Sequence, residues 1–125
     1  MKIILLVDDE PLLLRSYERI LRRWRSDWVV LSATSGAKAL ALLHANPVHV
    51  LVTDLAMPDM NGFELLAAVR SGWPSVRRIV VTGNVYDERD HERLVGLCEL
   101  VIRKPFEPRV LESAIADAVE RATFS

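Results

Sequence analysis

The sequence predicts an α/β fold: a doubly wound parallel sheet of five strands with helices on both faces. Two observations point there. Short β-branched runs alternate with longer segments whose apolar residues recur every three or four positions, the pattern of repeated βα units. The short runs are apolar throughout rather than alternating with polar residues, which requires cover on both faces of the sheet. A chain of 125 residues suits one domain spanning 1–125, large enough to bury a core without staples.

The five strands are expected at Ile3 to Val7, Trp28 to Ala33, Val48 to Thr53, Ile79 to Thr82 and Leu100 to Ile102. The first helix is expected from Pro11 to Trp24, with Leu13, Tyr17, Ile20, Leu21 and Trp24 as its buried stripe and Asp9 as its N-cap. The second follows Ser35-Gly36, turns Ala37, Leu40 and Ala41 inward, and stops at Asn46-Pro47, because proline disfavours helix in the residue before it. The third starts at Asn61-Gly62, buries Phe63, Leu66 and Ala67, and ends before Gly72. The fourth, within "YDERDHERLVGL", is polar for most of its length and should be short, with a thin buried stripe. The fifth begins at Pro108 and carries Leu111, Ala114, Ile115 and Ala118 on one side.

Composition excludes several function classes. With 16 basic against 17 acidic side chains there is neither a nucleic-acid footprint nor an acidic tail. Arg15, Arg19, Arg22, Arg23 and Arg25 then read as a solvated face. No apolar stretch is long enough to span a bilayer, and the opening "MKIILLVDDE" lacks a cleavage site, so no membrane association is expected. The single Cys98 cannot form an intrachain disulfide; it reads as a core residue in a reduced, cytoplasmic setting. His44, His49 and His91 lack metal-ligand spacing, and Trp24, Trp28 and Trp73 read as packing residues.

Chemistry gathers at the C-terminal ends of the strands, the edge where open α/β sheets bind ligands. Strand 1 ends in Asp8-Asp9, strand 3 in Asp54, strand 4 in Thr82, and strand 5 leads to Lys104, while strand 2 offers neither acid nor base. In the flavodoxin-like order 2-1-3-4-5, strand 2 is an edge and the other four are neighbours whose ends meet. Three carboxylates beside one ammonium call for a cation, and hard oxygen ligands favour Mg²⁺. An Asp nucleophile there can form an acyl phosphate, with Lys104 and Thr82 serving phosphoryl oxygens. In "VTDLAMPDMNG" (52 to 62), Pro58 stiffens the loop after Asp54, Asn61 caps the next helix, and Gly62 relieves crowding; Gly83 leaves the phosphoryl approach open. Asp59 reads as a loop surface acid.

The segments "ILLVDDEP" (4 to 11), "VTDLAMPDMNGFELL" (52 to 66), "IVVTG" (79 to 83) and "RKPF" (103 to 106), in this order, resemble the receiver domain of two-component response regulators over essentially the whole chain. The resemblance implies that Asp54 accepts a phosphoryl group from a histidine kinase or phosphotransfer protein and that Asp9 binds Mg²⁺. It makes Asp8 a positioning or water-mediated ligand and the Ala56 carbonyl a further ligand. Thr82 becomes the switch hydroxyl, Lys104 the phosphate partner, and Lys104-Pro105 a cis peptide. The product is a signalling switch rather than a turnover enzyme, acting on an output protein or output domain. It departs from the family at Val101, where a switch aromatic is common, and at "LCEL" (97 to 100), where a glycine-alanine turn is frequent. The Val101 departure shifts the expected readout to the loop between strand 4 and helix 4, with the output surface on helix 4 and the strand 5 to helix 5 face.

Two other readings use the same residues. A receiver-like interaction module would work without phosphorylation, and full retention of the acids, Thr82 and Lys104 argues against it. A haloacid-dehalogenase-type phosphohydrolase would need a second acid two residues after the nucleophile, where this chain has Ala56. The chain stops soon after helix 5, as expected of a free-standing receiver or one cut from a larger protein.

Overall fold

The computed structural model describes residues 1–83 and 87–124. Its elements alternate without exception: β1 (Lys2–Val7), α1 (Pro11–Trp24), β2 (Trp28–Ala33), α2 (Gly36–Ala45), β3 (Val50–Thr53), α3 (Gly62–Gly72), β4 (Arg77–Thr82), α4 (Glu88–Leu94), β5 (Leu100–Arg103) and α5 (Pro108–Phe124). All neighbouring strands pair in parallel, in the order β2-β1-β3-β4-β5. Strand β3 starts two residues later than expected, after Val48 N–H bonds back to the Asn46 carbonyl and His49 N–H joins β1 at Ile3. Strand β4 starts two residues earlier, at Arg77, which pairs with Val50.

Side-chain alternation along each strand splits the core in two. Ile4, Leu6, Val50, Val52, Ile79 and Val81 face one side, where α1 supplies Leu14 and Leu21 and α5 supplies Leu111, Ala114, Ile115 and Ala118. Leu5, Val7, Leu51 and Val80 face the other, met by Ala39 and Leu43 of α2, Leu65, Leu66 and Val69 of α3, and Leu94 of α4. The predicted stripe of α5 is therefore the observed one.

Three helix faces differ from expectation. In α1 the buried leucine is Leu14, with Leu13 only partly covered, because Leu14 is the residue three before Tyr17 and seven before Leu21 on one line. In α2 the buried positions are Gly36, Ala39 and Leu43; Ala37 and Ala41 are exposed and Leu40 is intermediate. In α3, Leu65 and Val69 join Leu66 inside, Phe63 is partly covered and Ala67 faces out. Helix α4 is short as expected, with Leu94 its one buried residue; Tyr86, at the start of the predicted segment, lies outside the described residues.

Helix α1 is also not capped by Asp9. Its N-cap is Glu10, whose side chain makes no capping bond; instead Asp8 Oδ1 accepts from Glu10 N–H at 3.0 Å. By contrast, Asn61 caps α3 as expected, accepting from Glu64 N–H at 2.9 Å.

His49 turns out to be structural rather than incidental: its Nδ1 accepts the Ile3 N–H at 3.1 Å and so ties β1 to the start of β3. Burial, with help from Lys2 and the N-terminal ammonium, holds this imidazole below its ordinary pKa of 6.5. A base whose folded pKa is depressed contributes stability that is present above the unfolded value and lost as pH falls through the folded one. Native protein is therefore expected to lose more denaturant resistance between about pH 7.5 and about pH 5.5 than His49→Gln does. Equal losses in urea melts would remove His49 from the account.

Candidate functional site: an acidic cavity at the strand ends

Strand order delivers the site. Because β1, β3, β4 and β5 are consecutive neighbours, the residues following them converge on a cavity of about 820 Å³. It is lined by Asp9, Glu10, Asp54, Ala56, Phe63, Thr82, Gly83, Asp90, Lys104 and Pro105, among others. Lys104 is part of this lining, its Nζ donating to Asp8 Oδ2 and Asp54 Oδ2, both at 3.1 Å. Backbone holds the lysine there: Lys104 N–H bonds to the Thr82 carbonyl at 2.8 Å, and the Lys104-Pro105 peptide is cis, as expected.

The turn after Asp54 is built from the residues around it. Asp54 N–H extends the sheet to the Val7 carbonyl at 3.1 Å, and the buried Thr53 hydroxyl donates to the Asp54 carbonyl at 2.9 Å. Asp54 Oδ1 then accepts from Ala56 N–H at 3.2 Å, leaving Oδ2 for the lysine. Gly62 N–H closes the loop on the Leu55 carbonyl at 2.8 Å. A Cβ on Gly62 would collide with the Asp54 carbonyl oxygen and come within 2.6 Å of Leu55 Cα, so glycine is required by close approach. Among the described residues, a Cβ at Gly83 would meet only the Lys104 side chain, at 3.9 Å.

Burial grades the three acids. Asp8 is 4% exposed, Asp54 intermediate and Asp9 exposed, and oxygens of all three lie within 4.8 Å of one another. Burial would lower the Lys104 pKa, but hydrogen bonds and charge from Asp54 and then Asp8 outweigh it, and the ammonium is held above its ordinary value. Three carboxylates against this one ammonium leave a formal charge of −2, which a divalent cation balances. The donors are all hard oxygens and one acid is open to solvent, the arrangement that suits a partly hydrated Mg²⁺.

Thr82 is 6% exposed and lines the same cavity as Asp9, Asp54 and Lys104, while Asp8 stands beside that lining, bonded to Lys104 Nζ. Val101 is not among them. It sits on the α4–β5 side, in a groove of about 520 Å³ with Leu94, Val95, Cys98 and Leu100. Cys98 packs against the edge of the core and also lines this groove: it is half-buried, and burial pushes its thiol pKa up, away from thiolate reactivity. The turn into β5 uses Gly96, at φ 80°, in the left-handed region that favours glycine. Residues 84–86, in the connection expected to carry the readout, lie outside the described residues.

Sequence reasoning missed Thr53, Phe63 and Asp90. Asp90 had a legible signal, since Asp87-Glu88-Arg89-Asp90 has capping-box spacing; the box is present, with Asp87 Oδ1 accepting from Asp90 N–H and Asp90 Oδ2 from Asp87 N–H. What the spacing could not reveal is that Asp90 borders the cavity.

Comparison with known proteins agrees with this geometry. Residues 4–116 match the response regulator receiver domain family. The chain is 36% identical over 121 residues to the hydrogenase transcriptional regulatory protein HoxA of Cupriavidus necator, covering 94% of this chain and 24% of that protein. It is 32% identical over 123 residues to the transcriptional regulatory protein KdpE of Mycobacterium tuberculosis, covering 98% of this chain and 53% of that one. The chain thus spans from a quarter to about half the length of these relatives. Among solved structures, a CheY-like receiver domain protein from Methanospirillum hungatei superposes with a TM-score of 0.91 at 27% identity, covering 98% of this chain and 97% of that one. The signal receiver domain of an HD domain-containing protein from Pseudomonas fluorescens gives 0.91 at 26% identity, covering 99% and 98%. With the fold, the strand-end cavity and the family match in agreement, the chain belongs to the response regulator receiver domains, signalling switches of two-component systems.

Proposed function

We propose that Asp54 is the phosphoacceptor of this receiver and that its phosphorylation depends on Mg²⁺. The observation that carries this is the shared ammonium: Lys104 Nζ reaches Asp8 and Asp54 at 3.1 Å each, with an Asp9 oxygen in the same cluster. Asp8, Asp9, Asp54 and the Ala56 carbonyl would hold the ion, which when bound neutralises the charge of the incoming phosphoryl group. An Asp54 carboxylate oxygen attacks phosphorus, the bond from phosphorus to the donor nitrogen of a phosphohistidine breaks, and that nitrogen keeps the electron pair. Lys104, already beside Asp54, pairs with a phosphoryl oxygen, and Thr82 donates its hydroxyl to another.

The donor is a histidine kinase or phosphotransfer protein, and the reading fits a cytoplasmic receiver, one unit over 1–125, joined to or acting on a separate output protein or domain. The phosphohydrolase alternative suffers from Ala56, which supplies no second acid. The α4–β5 groove is the output surface: Val95 is 70% and Leu100 42% exposed there, framed by Glu99 and Arg103. A complete reversal of an inactive majority requires about 10⁴-fold discrimination between the two states.

Incubation with Mg²⁺ and a small acyl phosphate is expected to add one phosphoryl group by intact mass, and EDTA is expected to prevent it. Equal labelling with EDTA present would overturn the metal role of Asp8 and Asp9.

A further inference from the structure

Helix α4 is held unevenly. Its C-terminal end is anchored twice: Leu94 is buried, and the Arg93 guanidinium lies 3.7 Å from the ring centroid of Phe63 on α3. Its N-terminal turn is more open to solvent. Of residues 87–93, Asp90 alone is partly buried, and the others are exposed. What organises this turn is the capping box, with Asp87 Oδ1 accepting from Asp90 N–H at 3.0 Å and Asp90 Oδ2 accepting from Asp87 N–H at 3.2 Å. A helix of seven residues is far too short to hold itself together, so its first turn depends on such bonds. Asp90 also lines the acceptor cavity, alongside Asp54, Thr82 and Lys104. Asp90 therefore belongs both to the capping box and to the cavity wall.

We propose that Asp90 is a charge sensor through which phosphorylation reaches α4: negative charge gained at Asp54 weakens the Asp87–Asp90 capping box and frees the first turn of the helix. The proposal rests on Asp54 being the phosphoacceptor. Phosphorylation exchanges the single charge of the Asp54 carboxylate for about −2 on the acyl phosphate, a net gain of about one negative charge in a cavity whose lining already carries Asp9, Glu10, Asp54 and Asp90 against Lys104. The added negative charge repels the Asp90 carboxylate. The carboxylate relaxes outward, Asp87 N–H loses its acceptor, and the box opens. Arg93 and Leu94 keep the other end in place, so the change is confined to the turn nearest the cavity. With valine at position 101, this route transmits the signal without the rotation of a large ring.

The test measures amide exchange by NMR in Mg²⁺ throughout, without and with beryllium fluoride, a stable stand-in for the phosphoryl group, with fluorine NMR reporting its binding. In native protein the amides of Asp87 and Asp90 are expected to exchange about fivefold faster once the mimic is bound, the factor that corresponds to the loss of one cap. Asp90→Asn keeps a side-chain oxygen for Asp87 N–H but carries no charge. Its exchange is expected to change less than about twofold, and by linkage it should bind the mimic about fivefold more tightly. If the mimic binds and native and Asp90→Asn amides respond alike, or native amides do not respond, the sensor proposal fails while the acceptor reading survives. If native protein neither binds the mimic nor takes up a phosphoryl group, the acceptor reading fails and the sensor with it.

Discussion

Asp54→Asn is expected to abolish phosphoryl uptake while leaving the fold intact. The carboxamide is nearly isosteric, but its oxygen is neutral and its nitrogen lone pair is delocalised, so neither atom attacks phosphorus at a useful rate. Lys104 keeps its bond to Asp8 and the Ala56 N–H still meets an amide oxygen, while the amide nitrogen that replaces Oδ2 faces the lysine and the open cavity. One acid fewer in the cluster also relieves repulsion. Stability should consequently stay within about 1 kcal/mol of native, and intact mass after incubation with an acyl phosphate and Mg²⁺ should equal that of the untreated variant. A folded Asp54→Asn protein that still gains a phosphoryl group would place the acceptor elsewhere.

The second large effect is expected at Gly62, and it falls on fold and site together. Alanine there drives its methyl onto the Asp54 carbonyl oxygen and Leu55 Cα, both backbone atoms that cannot rotate aside. Nor can the helix start recede, because Gly62 N–H is bonded to the Leu55 carbonyl and Asn61 caps α3 next to it. Overpacking against backbone is expected to cost about 3 kcal/mol. Phosphoryl uptake should fall as well, since the displaced peptide is the one that carries Asp54. Gly72→Ala is the control, because a Cβ there meets nothing within 4 Å. If the two variants unfold at the same denaturant concentration, close approach at Gly62 is not a constraint.

The sequence made the sheet legible because its strands are buried on both faces and read as unbroken apolar runs. Strand order then followed from which strand ends carried chemistry: β2 ends in Ala33-Thr34 and lies at the edge. Helix faces were read with mixed success. In α5 all four expected residues are buried, while the apolar Val110 beside them is exposed. In α2, "GAKALALLHA" offers apolar side chains on nearly every side, so periodicity could not choose between Ala37 and Ala39. Leu13 and Leu14 posed the same ambiguity in α1, decided by packing against the sheet.

The site divides along a similar line. Asp8, Asp9, Asp54, Thr82 and Lys104 each end or follow a strand, so topology alone brings them together. Asp90 reaches the cavity from a helix, and its place there depends on how α4 docks against Phe63, which no local pattern encodes. Asp9 was misread as a cap because an acid two residues before a proline is an ordinary helix start. The structure gives the Glu10 N–H to Asp8 instead and leaves Asp9 open to solvent.

The identity of the phosphorylated atom is the point on which the account turns, and an acyl phosphate can be located chemically, because borohydride reduces it to the alcohol. Native protein treated with an acyl phosphate and Mg²⁺, reduced, digested and sequenced by mass spectrometry should carry homoserine at position 54 and nowhere else. Homoserine at position 8 or 9, or a phosphoryl group that survives reduction on a histidine, would contradict it.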